Sequence, residues 1–224
     1  MILDGCKGVN DLSKRVKHWI YALFCIAVFL IAMGPELHAA TSQQTSDSQS
    51  NATSKKTGSA KNNSHMRTPI NWRKSSETVP YPDLKKVKNF WIKVDLKNNR
   101  TYLYDGNKVI YTMYSTGGVY KKDKKTGKMK SVTPTGTFYI QKERGESFFN
   151  QSLNEGANYY VSWKNHGEYL FHSVPTKAGG AYNEKEAAKL GKTQGSHGCI
   201  RLSVPDAKWM EQNLPVGTKI EIVG

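Results

Sequence analysis

Six consecutive residues, Ser196-His197-Gly198-Cys199-Ile200-Arg201, hold the chemistry that this sequence is best equipped to do. A cysteine attacks as its thiolate and so needs a base, and histidine is the side chain whose pKa suits neutral pH. His197 stands two residues before Cys199. A second histidine, His172, ends an expected strand upstream. A Cys/His pair is the minimum for thiol acyl transfer. Gly195 and Gly198 let the backbone approach a substrate closely and present its N–H groups. Two other readings use the same residues. A free cysteine is often packed as a small hydrophobe. His172, His197 and Cys199, with His166 as a fourth, could also ligate zinc. However, His197 and Cys199 are only two apart, and the usual paired spacings of zinc sites are absent. A redox role would favour Cys-X-X-Cys, which is missing. The acyl-transfer reading needs no metal and no cofactor.

The distribution of cysteines supports a used thiol. The 224 residues contain three cysteines, too few for a disulfide framework. Cys6 precedes an unbroken apolar run from Trp19 to Met33, and Cys25 lies inside it. Lys14, Arg15, Lys17 and His18 flank that run, Gly34 and Pro35 break it, and Leu37-His38-Ala39-Ala40 comes next. Residues 1–40 therefore read as a signal peptide or an uncleaved signal anchor, and either exports the remainder of the chain. Residues 41–85 are rich in Ser, Thr, Asn, Gln and Lys and read as a flexible polar linker. Residues 86–224 have a globular composition, and Cys199 is their one thiol. The net charge of +15 falls mostly on this last segment. Such an excess suits nucleic acid, an anionic membrane or an acidic polymer. Export disfavours nucleic acid and leaves anionic wall polymer as the partner the charge suits.

The elements that must position these residues read as mostly β, with one or two short helices. Ile92, Val94 and Leu96 alternate along Phe90–Leu96, Lys97-Asn98-Asn99 signals a turn, and strands are expected at Thr101–Tyr104 and Val109–Tyr114 as an antiparallel meander. Further strands are expected at Thr137–Gln141, Tyr159–Trp163, Tyr169–His172 and Lys219–Val223. Glu184–Leu190 reads as a helix ended by Gly191, and Pro205–Asn213 as a second. Lys121, Lys122, Lys124, Lys125, Lys128 and Lys130 crowd what reads as a solvated loop.

Three segments together carry a family resemblance. Ser196-His197-Gly198-Cys199-Ile200-Arg201 resembles the signature of the L,D-transpeptidases, the YkuD domain, in which a histidine and a spacer precede Ser/Thr-His-Gly-Cys. Thr133-Pro134-Thr135-Gly136-Thr137-Phe138 resembles the family's Thr-Pro-x-Gly-x-Phe segment, and Phe171-His172-Ser173 fits the position of its catalytic histidine. The resemblance runs from about Val87 to Val223. The spacer from His172 to Ser196 is longer than in the shortest forms of the motif, which implies a longer lid or loop. Arg201 stands where some members have Asn.

The resemblance implies a β-sandwich or barrel-like fold and acyl transfer on peptidoglycan stem peptides. Cys199, as thiolate, would attack the bond between a diamino acid and D-Ala, release D-Ala and pass the acyl group to an acceptor amine, giving a 3→3 cross-link. His172 would be the base, oriented by the main-chain carbonyl of Ser173. The N–H groups of Gly198 and Cys199 would hold the oxyanion. Ser196, His197 and Arg201 would support the loop, and Tyr160 and Trp163 would line the donor groove. Carbapenems are the inhibitors the resemblance implies. Water as acceptor would make the protein an L,D-carboxypeptidase. A non-catalytic wall-binding module would leave Cys199 buried and inert.

Overall fold

Alternating apolar residues bury one face of each strand, and here they bury it on a single curled sheet. The computed structural model describes residues 65–224. Its strands are β1 (Phe90–Asp95), β2 (Arg100–Asp105), β3 (Lys108–Thr116), β4 (Tyr120–Lys122), β5 (Met129–Ser131), β6 (Gly136–Tyr139), β7 (Arg144–Asn150), β8 (Glu155–Lys164), β9 (Tyr169–Ser173), β10 (Ile200–Leu202) and β11 (Lys219–Val223). The helices are α1 (Glu184–Ala187) and α2 (Val204–Asn213). Nine strands form one sheet in the order β6-β11-β1-β2-β3-β10-β9-β8-β7, and β4 and β5 form a separate hairpin. The β1–β11 and β9–β10 pairs are parallel. β1, β2 and β3 form the expected antiparallel meander. The sheet nearly closes on itself. Phe138 of β6 packs edge-on to Trp163 of β8, with ring centroids 5.0 Å apart, and the Gln141 N–H donates to the Ser162 carbonyl at 2.8 Å.

Inside the curl, Ile92, Val94, Leu103, Val161, Phe171, Ile200, Leu202, Ile220 and Ile222 make one core. Ala207 and Met210 of α2 close it. The Ser203 hydroxyl caps α2 by accepting the Asp206 N–H at 3.2 Å, and Pro205 sits in its first turn. A second, smaller cluster joins Tyr114, Val174, Ala187 and Leu190.

Two expectations change here. The polar linker does not extend to residue 85. Met66, Ile70 and Trp72 pack on the second cluster, Tyr81 and Leu84 pack on the main core, and Ser76 and Glu77 are buried. Sparse apolar residues among many polar ones hid this, because polar groups of the segment take up sheet edges. β10 is short and meets β3 only at Ser115 and Thr116. Nearby, the Ser76 hydroxyl accepts the Tyr114 N–H at 2.8 Å and Glu77 accepts the Thr112 N–H at 2.8 Å. The lysine-rich loop is a hairpin, β4–β5. The apolar run from Trp19 to Met33 and the N-terminal part of the linker lie outside the described residues. Among the described residues no helix is long and apolar enough to cross a membrane.

Asp206 fastens the N-terminal segment to α2. It is fully buried and accepts from the Ser76 hydroxyl at 2.5 Å, the Ser76 N–H at 3.2 Å and the Tyr81 hydroxyl at 2.7 Å. Burial holds its carboxyl above the usual carboxylate range, against the pull of those hydrogen bonds. Asp206→Ala leaves several buried donors without an acceptor. The expected loss is about 3 kcal/mol, read as a fall in the urea midpoint with an unchanged slope. A midpoint equal to that of the unsubstituted protein would show that residues 65–85 add nothing to the fold.

Candidate active site

Strand alternation brings the site together. β9 and β10 run parallel in the register Ile200↔Phe171, Arg201↔His172 and Leu202↔Ser173. Phe171 and Ile200 are fully buried in the core. His172 and Arg201, one step on, therefore face the other way, and Cys199 directly precedes β10, two residues before Arg201.

His172 is 4% exposed, with Nδ1 2.7 Å from the Ser173 carbonyl oxygen. A carbonyl only accepts, so the proton sits on Nδ1 and the lone pair on Nε2. The imidazole is held neutral. Burial, and then the Arg201 charge, lower its pKa to about 3, against the opposing hydrogen bond to Ser173. The Phe148 ring of β7 stands edge-on to the imidazole at 5.5 Å.

Cys199 is a free thiol with part of its surface open. Its Sγ lies 3.7 Å from the Glu168 carbonyl oxygen, as a weak donor. Burial pushes the thiol up to about 11. A backbone hydrogen bond from Leu170 and the Arg201 charge pull the other way, and Glu155 and Glu168 push with burial. At rest the thiol and the imidazole are thus both neutral. Charge separation is costly at an imidazole this deeply buried without a developing partner.

The loop that carries Cys199 is tied from inside. Ser196 is 2% exposed, and its hydroxyl donates to the Cys199 carbonyl at 2.6 Å while accepting the Gly198 N–H at 3.1 Å. The Gly198 N–H is therefore engaged and is not free for an oxyanion. Gly198 has φ 140°, and a Cβ there would come within 2.8 Å of the Tyr169 ring, so only glycine fits. The wholly buried Thr133 accepts the Gly118 N–H and donates to the Gly198 carbonyl, both at 2.8 Å. The Val119 N–H donates to the Ser196 carbonyl at 3.0 Å. Thr133 gains a role here that its local sequence did not disclose.

Arg201 is the anchor. It is 1% exposed. One terminal nitrogen reaches Glu155 at 2.6 Å, and the other reaches Glu186 at 2.8 Å and the Gly195 carbonyl at 3.0 Å. A buried guanidinium persists only when its charge is matched, and two carboxylates and a carbonyl match it here. β8, α1 and the cysteine loop are thereby joined at one side chain. Sequence reasoning missed Glu155 and Glu186, because neither spacing nor local pattern links them to Arg201.

The remaining expected residues separate. Tyr160 packs edge-on to Phe148 at 5.6 Å, and Phe148 in turn packs on His172, so Tyr160 stands one layer behind the base. Trp163 does not line a groove. It is 1% exposed and packs against Phe138, Tyr169 and Phe171, which makes it core. His197 is exposed, so it does not hold the loop from within as Ser196 does. His166 pairs with Glu143, Nδ1 to Oε1 at 2.9 Å, at an exposed position. Among the described residues no three of His, Cys, Asp and Glu gather as metal ligands would.

A family model described as the L,D-transpeptidase catalytic domain, YkuD, matches residues 89–222. The chain belongs to this family. It is 48% identical over 157 residues to YciB of Bacillus subtilis (strain 168), whose name places it among the L,D-transpeptidases; the match covers 70% of this chain and 76% of that protein. A solved fused Zn-dependent amidase/peptidase/peptidoglycan-binding domain-containing protein from Clostridium acetobutylicum ATCC 824 is 32% identical, with a TM-score of 0.43 over 61% of this chain and 52% of that one. The L,D-transpeptidase LdtMt1, solved in complex with imipenem, is 20% identical, with a TM-score of 0.45 over 60% of this chain and 59% of that one. The chain thus spans a little over half the length of these two solved relatives.

Burial of Cys199 sets the thiol's reactivity in this L,D-transpeptidase domain. A thiol raised to about 11 is almost wholly protonated at neutral pH. Alkylation of Cys199 by iodoacetamide, followed by peptide mass, is expected to be slow at pH 7 and still rising above pH 9. A plateau reached by pH 7 would show a preformed thiolate instead.

Proposed function

We propose that the protein is an L,D-transpeptidase acting on peptidoglycan stem peptides, with Cys199 as nucleophile and His172 as general base. The observation that carries this is the imidazole held through Nδ1 on the Ser173 carbonyl, on the strand that pairs in parallel with β10, which directly follows Cys199. That tautomer leaves Nε2 as the acceptor a thiol needs.

As Sγ attacks the carbonyl carbon between the diamino acid and D-Ala, the thiol proton passes to Nε2. The imidazolium forms only while negative charge builds on the carbonyl oxygen, so the two charges compensate each other. The Gly198 N–H is already held by Ser196, which leaves that of Cys199 as the loop's candidate oxyanion donor. One such donor is worth about 3 kcal/mol of transition-state stabilisation. Collapse breaks the C–N bond, and Nε2–H protonates the departing D-Ala amine. The thioester then meets an acceptor amine, whose proton returns to Nε2, and release of the new amide restores the thiol. Carbapenems would acylate the same sulfur. Peptidoglycan lies outside the cytoplasmic membrane, and the export pattern of residues 1–40, kept as an anchor or cleaved, would deliver the domain there.

Incubation of the purified enzyme with a tetrapeptide donor, with and without an acceptor stem, tests this by product mass. The expected result is D-Ala release and a cross-linked product, both lost at least about 1,000-fold in Cys199→Ala. Continued D-Ala release by Cys199→Ala would overturn the assignment. Release of D-Ala with no cross-link when acceptor is present would make water the acceptor.

A further inference from the structure

The β4–β5 hairpin is unlike the rest of the surface. Its strands and turn hold six lysines, Lys121, Lys122, Lys124, Lys125, Lys128 and Lys130, all exposed. The one acid between them, Asp123, is occupied in shaping the turn. It accepts the Lys125 and Thr126 N–H groups at 3.0 and 2.7 Å and the Thr126 hydroxyl at 2.9 Å. Among the described residues none of the six ammonium groups is in an ion pair.

The register adds a second observation. Lys121 stands directly opposite Lys130 in the ladder. Like charges opposite one another destabilise a strand pair, and a lone two-stranded hairpin is marginal already. Folding alone gives no reason for this pairing; a multivalent anion held between the strands does. On the other face of the hairpin Tyr120 lies opposite Ser131, and these two help line a small cleft with Met129, Lys130 and Thr135.

Position is the third observation. The hairpin leaves the fold at the cysteine loop. Val119, just before β4, donates to Ser196, and Thr133, just after β5, donates to Gly198. The Ser131 hydroxyl donates to the Gly118 carbonyl at 2.9 Å. An anion gripped by the lysines is therefore held on a segment whose base is tied to the cysteine loop.

We propose that the β4–β5 hairpin is a docking arm for a flexible phosphodiester polymer, a polyol phosphate chain, and that it holds this polymer next to the catalytic loop. Evenly spaced phosphates on a flexible chain can follow lysines distributed over two strands and a turn. Lysine suits them as a strongly hydrated point charge that asks for no fixed geometry.

The test is anisotropy of labelled poly(glycerol phosphate) with the full-length chain across a salt series, with an RNA homopolymer and phosphatidylglycerol vesicles as competitors. Binding is expected to weaken steeply with salt. Replacing Lys121, Lys124, Lys125 and Lys130 by Gln should flatten the log–log salt slope by about 3 and weaken binding at least tenfold. The same change at the exposed Lys85, Lys86, Lys88 and Lys97 should leave both nearly unchanged. Lys121→Glu places an opposite charge across from Lys130, so it should raise the melting temperature slightly while weakening binding; a purely structural hairpin would show no such opposition. Equal losses from the two lysine sets would assign binding to overall charge and overturn the proposal. So would displacement of the polymer by RNA or vesicles at lower concentration than by unlabelled polymer. Binding is read without turnover, so its failure leaves the Cys199 chemistry untouched, and an inactive Cys199 leaves the arm untouched.

Discussion

One buried positive charge organises the candidate active site of this domain. Arg201 lies on the β10 ladder opposite His172, two residues beyond Cys199, with its terminal nitrogens on Glu155, Glu186 and the Gly195 carbonyl. No element around it can move without exposing or orphaning a charge. Pulling away β8 strands Glu155, and pulling away α1 strands Glu186. Either event leaves a guanidinium in a dry place, where an uncompensated charge costs several kcal/mol. The cysteine loop inherits its rigidity from this arrangement and from the Ser196 and Thr133 hydrogen bonds that cross it.

The same charge shapes the chemistry. Burial, and after it the neighbouring Arg201 cation, disfavour a second cation, so the imidazole stays neutral. The thiol is buried enough to stay protonated. A protonated thiol resists the oxidation that a standing thiolate invites. On the proposed mechanism the nucleophile comes into being only with a carbonyl in place to take the electrons.

Much of this was legible in the sequence, and the failures have physical causes. Seven strands and both helices announced themselves by alternation, turn residues and caps. β10 did not, because three residues between Cys199 and the α2 cap are too few to show a period. β4 and β5 did not, because lysines line both faces. β7 did not, because Arg144-Gly145-Glu146-Ser147 offers no apolar residue to alternate. The cysteine and its histidine were visible by type and by order along the chain. The burial of Trp163 and the outward position of His197 were not, since a single residue's facing depends on the curl of the whole sheet. Residues 65–85 looked like linker because composition averages over a segment, whereas a few contacts such as Ser76 to Asp206 decide whether it is held. Glu155 and Glu186 lay beyond sequence reasoning because long-range ion pairs leave no local signature.

The central claim is a neutral His172 with its proton on Nδ1 and its lone pair on Nε2. Nitrogen-15 NMR of imidazole-labelled protein reads this directly. The account predicts one pyrrole-like nitrogen at Nδ1 and one pyridine-like nitrogen at Nε2 for His172, unchanged from pH 8 down to pH 5. Two equivalent protonated nitrogens near neutral pH, or the proton found on Nε2, would contradict it.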